Sequence, residues 1–388
     1  MTLTRRRFGK MLAGLAVAPR ALEGAAPGLP PWRKGELELH FIATGRGENT
    51  FWILPDGTTV LNDCGDYMKE KYRAFIPALP DERRTPGEYV ARYVARRIAG
   101  RRIDYLLVSH GHDDHILGIP DFMKAFSFGK VLDHQYPARG AYQTYDARSL
   151  EVMNALQVPA EKFRVGARDQ IALLHDPEGA FSGSFHIRNL CSNMVVWTGE
   201  GEGSIDLKPF NGGDLPGAKL IQNMLSLAVR VDYGRFSYYA GGDLCRCCQD
   251  EHGARIDYEE RIGRLCGPVS VAKCNHHSCI DAMSEGFVRA VQAKAWISNV
   301  WALSHISDPA MPNMTSRELY GGDRRFFATL VPEECRRREK GKPWWRDVAA
   351  DGHVVVKVAP GGASWKVYVL DARSESGDVR EVFDPNPA

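Results

Sequence analysis

The 388-residue sequence lacks a long apolar run and lacks an excess of either charge. No stretch approaches the roughly 18 apolar residues that a membrane-spanning helix needs, so no transmembrane segment is predicted. The 50 basic and 48 acidic residues leave a formal net charge of +2. A general nucleic-acid-binding protein usually carries a strong basic excess, so the net charge does not support that role. A local basic patch and a nucleic-acid substrate stay open as alternatives. No internal repeat is present, which excludes a solenoid or propeller. The content of 44% hydrophobic and 25% charged residues is that of a globular protein and excludes a disordered or fibrous chain.

The amino terminus has the pattern of an export signal. Arg5, Arg6, Phe8 and Lys10 precede a short apolar stretch, and small residues follow at 23–26. This arrangement resembles a secretory signal of the twin-arginine type. We therefore expect residues 1–30 to be a signal peptide read by the twin-arginine export machinery, and the protein to be periplasmic or otherwise exported from a bacterial cell. The alternative is an ordinary basic amphipathic helix.

The nine cysteines are an odd number, so at least one thiol stays free or bonds elsewhere. Disulfide bonds can form in an exported protein. For the close group of Cys245, Cys247 and Cys248 we expect a structural or disulfide role rather than metal binding.

Predicted strands and helices are mixed throughout residues 31–388, which favours one large α/β layered domain. Residues 65–84 are polar and irregular and are expected to be a surface insertion. The chain is expected to end in a hairpin of His353–Val358 and Ser364–Leu370. A short helix is predicted near Thr315–Leu319.

The strongest chemical signal is the cluster His110, His112, Asp114 and His115, which directly follows a predicted buried strand, Ile103–Val108. Imidazole nitrogens suit zinc and iron, and a carboxylate adds a hard oxygen ligand. Four ligand-type residues within six positions indicate a metal site, and they could serve two metals. The alternative is a polar surface loop.

Two further predicted strands also end in ligand-type residues. Asp243 follows Phe236–Ala240 after two glycines, and His276 and His277 follow Val269–Cys274. A carboxylate can bridge two cations, so Asp243 is the candidate bridge. Alone, each of these residues would be read as a cap, turn or core residue; their common position at strand ends favours a site.

These residues carry a resemblance to the metallo-β-lactamase superfamily. Within it, the chain is most similar to the hydrolase domain of competence-type DNA-uptake proteins and to the teichoic-acid phosphorylcholine esterases. The stretches that carry the subgroup resemblance are His40–Asn49, Leu61–Gly65, Asn223–Gly234 and Lys273–Ser278. The resemblance covers most of residues 37–330.

The resemblance implies a four-layer αββα sandwich with a di-metal site at one sheet edge. It implies that His110 and His112 bind the first metal, that Asp114 and His115 bind the second, and that Asp243 bridges them. One of His276 and His277 would join the second metal and the other would contact the substrate; we assign His277 as the ligand and His276 as the substrate contact, and the opposite assignment is the alternative. Asp114 would also take part in catalysis. Three departures stand out: Ala43 and Glu48 replace aspartates, Ser278-Cys279 replaces Gly-Ser, and no clear third histidine motif is present. The candidates for that third position are His134, His175, His186 and Asn193.

The resemblance implies a hydrolase that uses a hydroxide held by two divalent ions, zinc in the first place and manganese or iron as alternatives. The expected substrate is a small-molecule or polymeric phosphate ester or phosphodiester. One alternative is an amide, lactone or thioester hydrolase, including one that acts on β-lactams. Another is a non-catalytic metal-binding protein. His305 is expected to lie near the pocket or to be an ordinary buried histidine.

Overall fold

The computed structural model describes most of the chain beyond the predicted export signal. The described residues are 28–67, 76–134, 147–156, 158–207, 222–249 and 255–385. The signal-peptide prediction for residues 1–30 therefore lies almost wholly outside them. Among the described residues, no helix has both the length and the apolar composition needed to cross a membrane.

Within the described residues, the first sheet has nine strands, which are numbered here in chain order. The spatial order is β20 (Val379–Phe383), β19 (Trp365–Leu370), β18 (His353–Val358), β1 (Leu37–Phe41), β2 (Asn49–Ile53), β3 (Thr59–Cys64), β4 (Arg102–Leu107), β5 (Ser127–Asp133) and β6 (Ala160–Lys162). Strands β3 to β6 run parallel to one another, and the other neighbours pair antiparallel.

The second sheet also has nine strands in the part of the chain that the structure describes. Its spatial order is β17 (Val348–Ala350), β16 (Arg325–Ala328), β15 (Ala295–Ser298), β14 (Val271–Lys273), β11 (Phe236–Gly241), β10 (Ala228–Tyr233), β7 (Phe185–Ser192), β8 (Val195–Trp197) and β9 (Ser204–Asp206). Neighbours from β11 to β17 pair parallel. A separate two-stranded ribbon pairs β12 (Cys247–Gln249) with β13 (Arg255–Asp257).

Helices cover the outer faces of both sheets. The α-helices are Pro86–Ala95, Asp113–Ile116, Ile119–Met123, Ala147–Ala155, Tyr258–Cys266, Glu285–Val291, Ala310–Thr315 and Glu333–Glu339. Short 3₁₀ helices are Gln222–Leu225, Asn275–Ser278, Pro343–Asp347 and Pro360–Gly362.

Three apolar cores separate these layers. The central core lies between the sheets, and each outer core lies between one sheet and its helices. Strand β4 shows how the sequence specifies this: Tyr105 and Leu107 enter the central core, whereas Leu106 packs against the outer helices. A strand whose two faces are both buried is apolar nearly throughout, as expected for a parallel sheet covered on both sides. The predicted four-layer αββα sandwich is confirmed.

This arrangement brings several strand ends to one place. Strands β3 and β4 of the first sheet run parallel to each other, and so do β11, β14 and β15 of the second, so the carboxyl ends of each set share one edge of their sheet. Ligands in such sheets bind outside the carboxyl ends of the strands.

Most predicted elements are present, but one helix is displaced and others, including Glu333–Glu339, were not predicted. The helix predicted near Thr315–Leu319 instead occupies Ala310–Thr315. The helix Tyr258–Cys266 was not predicted, although Asp257 caps it by accepting a hydrogen bond from the Glu260 amide at 2.8 Å. The predicted carboxy-terminal hairpin is confirmed as β18 and β19, and β20 extends it.

Candidate metal centre

The loop after β4 presents the histidine cluster to the sheet edge. A short helix, Asp113–Ile116, begins directly after His112 and buries the side chains of Asp114 and His115. His112 stays exposed. The Nε2 atom of His110 lies 3.1 Å from Nδ1 of His112, so the two rings of the predicted first metal site adjoin each other.

Asp63, at the end of β3, fixes this loop from behind. One of its carboxylate oxygens accepts a hydrogen bond from the Ser109 amide at 2.7 Å, and the other lies 2.9 Å from Nδ1 of His115. A carboxylate behind a histidine sets the ring tautomer and directs the other nitrogen toward a metal. Nε2 of His115 is therefore the atom left for a ligand.

Asp243 lies at the centre of the imidazole rings. Its Oδ2 atom is 3.2 Å from Nε2 of His115, 3.5 Å from Nε2 of His277 and 3.8 Å from Nε2 of His110. One oxygen thus faces histidines from both predicted metal sites, which is the arrangement that a bridging carboxylate requires.

His276 and His277 follow strand β14 of the second sheet, and their side chains have different environments. The backbone φ angles of His276, His277 and Ser278 are 41°, 52° and 63°, an uncommon conformation for residues other than glycine. Nδ1 of His277 donates to the carbonyl of Asn299 at 2.7 Å, so its Nε2 atom is free to face Asp114, 3.1 Å away. The tight backbone turn separates the two rings, whose centroids are 6.2 Å apart.

The ring of His276 is held by two partners outside the histidine cluster. Its Nδ1 atom lies 2.6 Å from a carboxylate oxygen of Asp281, and its Nε2 atom lies 3.2 Å from the Asn223 amide nitrogen. Nε2 is also 3.9 Å from Asp243. His276 thus stands beside the cluster without entering either metal-binding group among the described residues.

Two groups of side chains in the described part of the chain could hold a metal. The first is His110, His112 and Asp243, and the second is Glu48, His115, Asp243 and His277. The Nε2 atom of His115 and the Oδ1 atom of Asp243 are buried and have no hydrogen-bond partner among the described residues. Buried polar atoms without partners are costly, so these atoms fit divalent cations. The nitrogen and oxygen donor set suits zinc, manganese or iron.

The charges in the cluster show why protons and metal ions compete there. Burial lowers the pKa of His277, but Asp243 and Asp114 outweigh burial and raise that pKa to about 9. Burial raises the pKa of Asp114, but His115 and His277 hold it below its ordinary value. The carboxylates therefore stabilise positive charge on the rings of His115 and His277, and metal binding there must release those protons.

The structure brings together every residue predicted for the site. Asp114 belongs to neither of the two metal-binding groups, but its Oδ2 atom lies 3.1 Å from His277 and 3.7 Å from His115. The assignment of individual ligand roles therefore stays a prediction.

The candidates for the missing third histidine motif are not in the metal-binding groups of the described residues. His175 pairs with Asp104 at 3.3 Å, and His186 pairs with Asp232 at 3.2 Å. Asn193 instead donates a hydrogen bond to the carbonyl of His134.

The expectation for the cysteine group is only partly addressed. Cys245 is buried, and the structural or disulfide role expected for the group stays a prediction. Cys247 and Cys248 lie in β12.

Sequence reasoning missed the role of Glu48, which was noted only as a departure from the family pattern. Its side chain is fully buried, lies 3.0 Å from Nζ of Lys273, and lies 3.6 Å from Nδ1 of His277. Asp63 and Asp281 were missed as well, although Asp63 stands at the end of a predicted strand. That strand-end position was the available signal.

A cavity of about 440 Å³ opens on the cluster. Asp114, Asp243, His276 and His277 form its floor together with His112. The side walls include Tyr67, Ile76, Trp301, Leu303 and His305. The site is therefore a concave, mixed pocket of the kind that binds small molecules or the end of a larger one.

Residues 43–202 match the family model described as the metallo-beta-lactamase superfamily. No curated protein matches the chain.

Solved structures with a similar fold have diverse activities. CmlA, a diiron beta-hydroxylase from Streptomyces venezuelae, is 13% identical at a TM-score of 0.41, covering 85% of this chain and 55% of that one. A diphosphatase from the PhnP family is 13% identical at a TM-score of 0.34, covering 83% and 96%. A metallo-beta-lactamase from Cronobacter sakazakii is 15% identical at a TM-score of 0.26, covering 56% and 63%. The chain spans about half the length of CmlA.

Proposed function

Since residues 43–202 match the metallo-β-lactamase superfamily, we propose that the chain is a metal-dependent hydrolase of phosphate esters or phosphodiesters. The observation that carries the hydrolase proposal is the convergence of His110, His115 and His277 on Asp243. The choice of phosphate esters is supported by the resemblance of Asn223–Gly234 and Lys273–Ser278 to the phosphodiester-cleaving subgroup.

In this proposal, His110, His112 and Asp243 hold one divalent ion, and Asp114, His115, His277 and Asp243 hold the other. The ions supply Lewis-acid activation of water and of the ester. Asp63 keeps Nε2 of His115 directed inward, and the carbonyl of Asn299 does the same for His277. Glu48 lies on the Nδ1 side of His277, away from the Nε2 atom that faces Asp114, so we assign it no ligand role.

We assign His276 as the general acid of the proposed reaction. It lines the cavity, and Asp281 holds a proton on Nδ1, so Nε2 is presented to the substrate. The side-chain oxygen of Asn223 has no hydrogen-bond partner among the described residues. Rotation of that amide by 180° would place the oxygen against Nε2, so Asn223 can pair with His276 whether Nε2 carries a proton or not. His276 is therefore suited to protonate a leaving group.

Metal analysis combined with turnover tests this proposal. The zinc-loaded chain should bind two metal equivalents and hydrolyse bis(4-nitrophenyl) phosphate. His277→Ala should lose about one equivalent and nearly all activity, because an incomplete metal pair cannot activate water. His276→Ala should keep both equivalents and lose roughly 10²–10⁴ in rate, the range for a lost general acid.

Each alternative has a distinct outcome. Turnover of a chromogenic cephalosporin without turnover of the phosphodiester would favour an amide or lactone hydrolase. Two bound metals with no turnover of either substrate would favour a metal-binding protein. Full metal and full activity in both His276→Ala and His277→Ala would refute the site.

A further inference from the structure

His305 lies on the wall of the cavity and is not used by the proposed mechanism. It follows β15 in the chain, is 3% exposed, and lines the cavity with its ring. That ring stacks on the ring of His277, with centroids 4.4 Å apart and planes 11° apart. It also meets Trp301 edge-on at 5.0 Å. Its position is therefore fixed on two sides.

Hydrogen bonds determine which nitrogen of His305 carries the proton. The backbone amides of Trp301 and Ala302 both point to Nδ1, at 3.2 and 3.3 Å. A backbone amide can only donate, so Nδ1 must be an unprotonated acceptor. The single proton of the neutral ring is consequently on Nε2.

The same two contacts keep the ring neutral. A second proton, on Nδ1, would displace both backbone donors.

The remaining Nε2–H group has no hydrogen-bond partner among the described residues. The Nε2 atom is not completely enclosed by the protein, and His305 lines the cavity. We therefore place this N–H group at the surface of the cavity, where solvent or a ligand reaches it. A nitrogen that carries a proton has no lone pair for a cation, so this ring stays free when metals occupy the centre. Most polar side-chain atoms in a protein interior have a hydrogen-bond partner, so this N–H group is available to a ligand in the cavity.

We propose that Nε2–H of His305 donates a hydrogen bond to a non-bridging oxygen of the substrate's phosphoryl group. His305 is then a catalytic residue beside the metal centre, a neutral donor fixed in place before the substrate arrives. This inference rests on the proposed phosphate-ester activity. Donors oriented in advance toward developing charge are worth about 10²–10³ in kcat when one is removed.

Two variants separate the donor from the ring. His305→Phe keeps an aromatic ring against His277 but has no N–H group. His305→Gln has no ring but can place an amide N–H near the position of Nε2. His175→Phe, at a half-exposed histidine that pairs with Asp104, is the matched control. For the zinc-loaded proteins we would measure kcat, KM, metal content and the Kd for inorganic phosphate.

We expect His305→Phe to keep two metal equivalents, to lower kcat by about 10²–10³ with a smaller change in KM, and to weaken phosphate binding. His305→Gln should recover part of both losses, and His175→Phe should match the wild type. Unchanged kcat and phosphate affinity in His305→Phe would overturn the inference. Loss of metal in that variant would overturn it too, because His305 would then act through the ions.

The tautomer can be read directly, without any activity. Nitrogen NMR of the ¹⁵N-histidine-labelled, zinc-loaded wild type should show one neutral ring protonated on Nε2 that is missing from the spectrum of His305→Phe. A shift of that Nε2 signal on adding phosphate would support the contact. A proton on Nδ1 would refute it. If the wild type cleaves no phosphodiester, the proposed function fails, whereas the NMR and phosphate-binding results still decide the role of His305.

Discussion

Nζ of Lys273 lies 3.0 Å from a carboxylate oxygen of Glu48, and both side chains are buried beside the metal centre. Lys273 also donates hydrogen bonds to the carbonyls of Gly242 and Cys274. The Glu48 backbone pairs with the Asp114 carbonyl through its amide, at 2.7 Å. The ion pair therefore connects three of the segments that carry site residues.

Removing one member of this pair should be more damaging than removing both. Lys273→Met leaves the Glu48 carboxylate buried without its countercharge, so we expect a loss of about 3–5 kcal/mol in the free energy of unfolding. The double variant Glu48→Gln with Lys273→Met should regain much of that loss. Urea unfolding of the metal-free proteins measures both. Equal destabilisation in the single and double variants would show that the two charges are not coupled.

Asp281 should affect rate without affecting metal content. Asp281→Asn weakens the 2.6 Å contact that orients the His276 ring, so we expect kcat to fall by about 10–100-fold, the range for loss of a supporting carboxylate. Metal content should stay at two equivalents, because Asp281 is in neither metal-binding group of the described residues.

The control for Asp281 is the double variant that combines Asp281→Asn with His276→Ala. If Asp281 acts only through His276, the double variant should be no slower than His276→Ala alone. Additive losses would contradict the positioning role.

The folding stability of the protein at acidic pH should depend on His353, a buried histidine that is not part of the metal centre. His353 accepts a hydrogen bond from the Ala43 amide at 3.1 Å, and burial, with Arg97 nearby, lowers its pKa to about 3. The unfolded chain binds a proton at this residue below pH ~6.5, whereas the folded chain binds it only near pH 3. Stability should therefore fall as the pH drops from 6.5 toward 3.

His353→Gln should remove this contribution, which is at most about 1.4 kcal/mol per pH unit. The measurement is urea unfolding of the metal-free protein between pH 7 and 4.5 (a range of roughly 2.5 units) with His175→Gln, at a half-exposed position, as the control. An unchanged slope in His353→Gln would mean that His353 does not govern this pH range.

Export should depend on the twin arginines. Replacing Arg5 and Arg6 by lysine keeps the charge but removes the guanidinium groups that a receptor-read address uses. We expect the double variant to accumulate in the cytoplasm of the bacterial host, measured by cell fractionation. Normal export would point to the general secretory route, in which the cysteines meet oxidation before folding.

The ligand residues could be predicted because their signal is local or repeats at strand ends. His110, His112, Asp114 and His115 lie within six positions, and Asp243 ends a strand that could be recognised from its apolar run. Parallel pairing then brings the carboxyl ends of these strands to one edge of each sheet, where ligands of such sheets bind.

The supporting residues could not be predicted in this way. Glu48 and Lys273 are 225 positions apart in the sequence, so no local pattern indicates that their side chains form an ion pair. The role of Asp281 depends on the left-handed backbone turn at His276 and His277. The residue types at these positions do not predict that turn. The helix Tyr258–Cys266 did leave a signal, because Tyr258, Ile262 and Cys266 repeat every four residues and are buried.

The division of the site between two sheets has a consequence for the life of the protein in the cell. His110, His112, Asp114 and His115 come from the first sheet, whereas Asp243 and His277 come from the second. Ions bound between them would hold the two sheets together, so metal supply and folding stability are linked by mass action. A chain made during metal starvation would open more often along this seam. It would then be the form that proteases remove first.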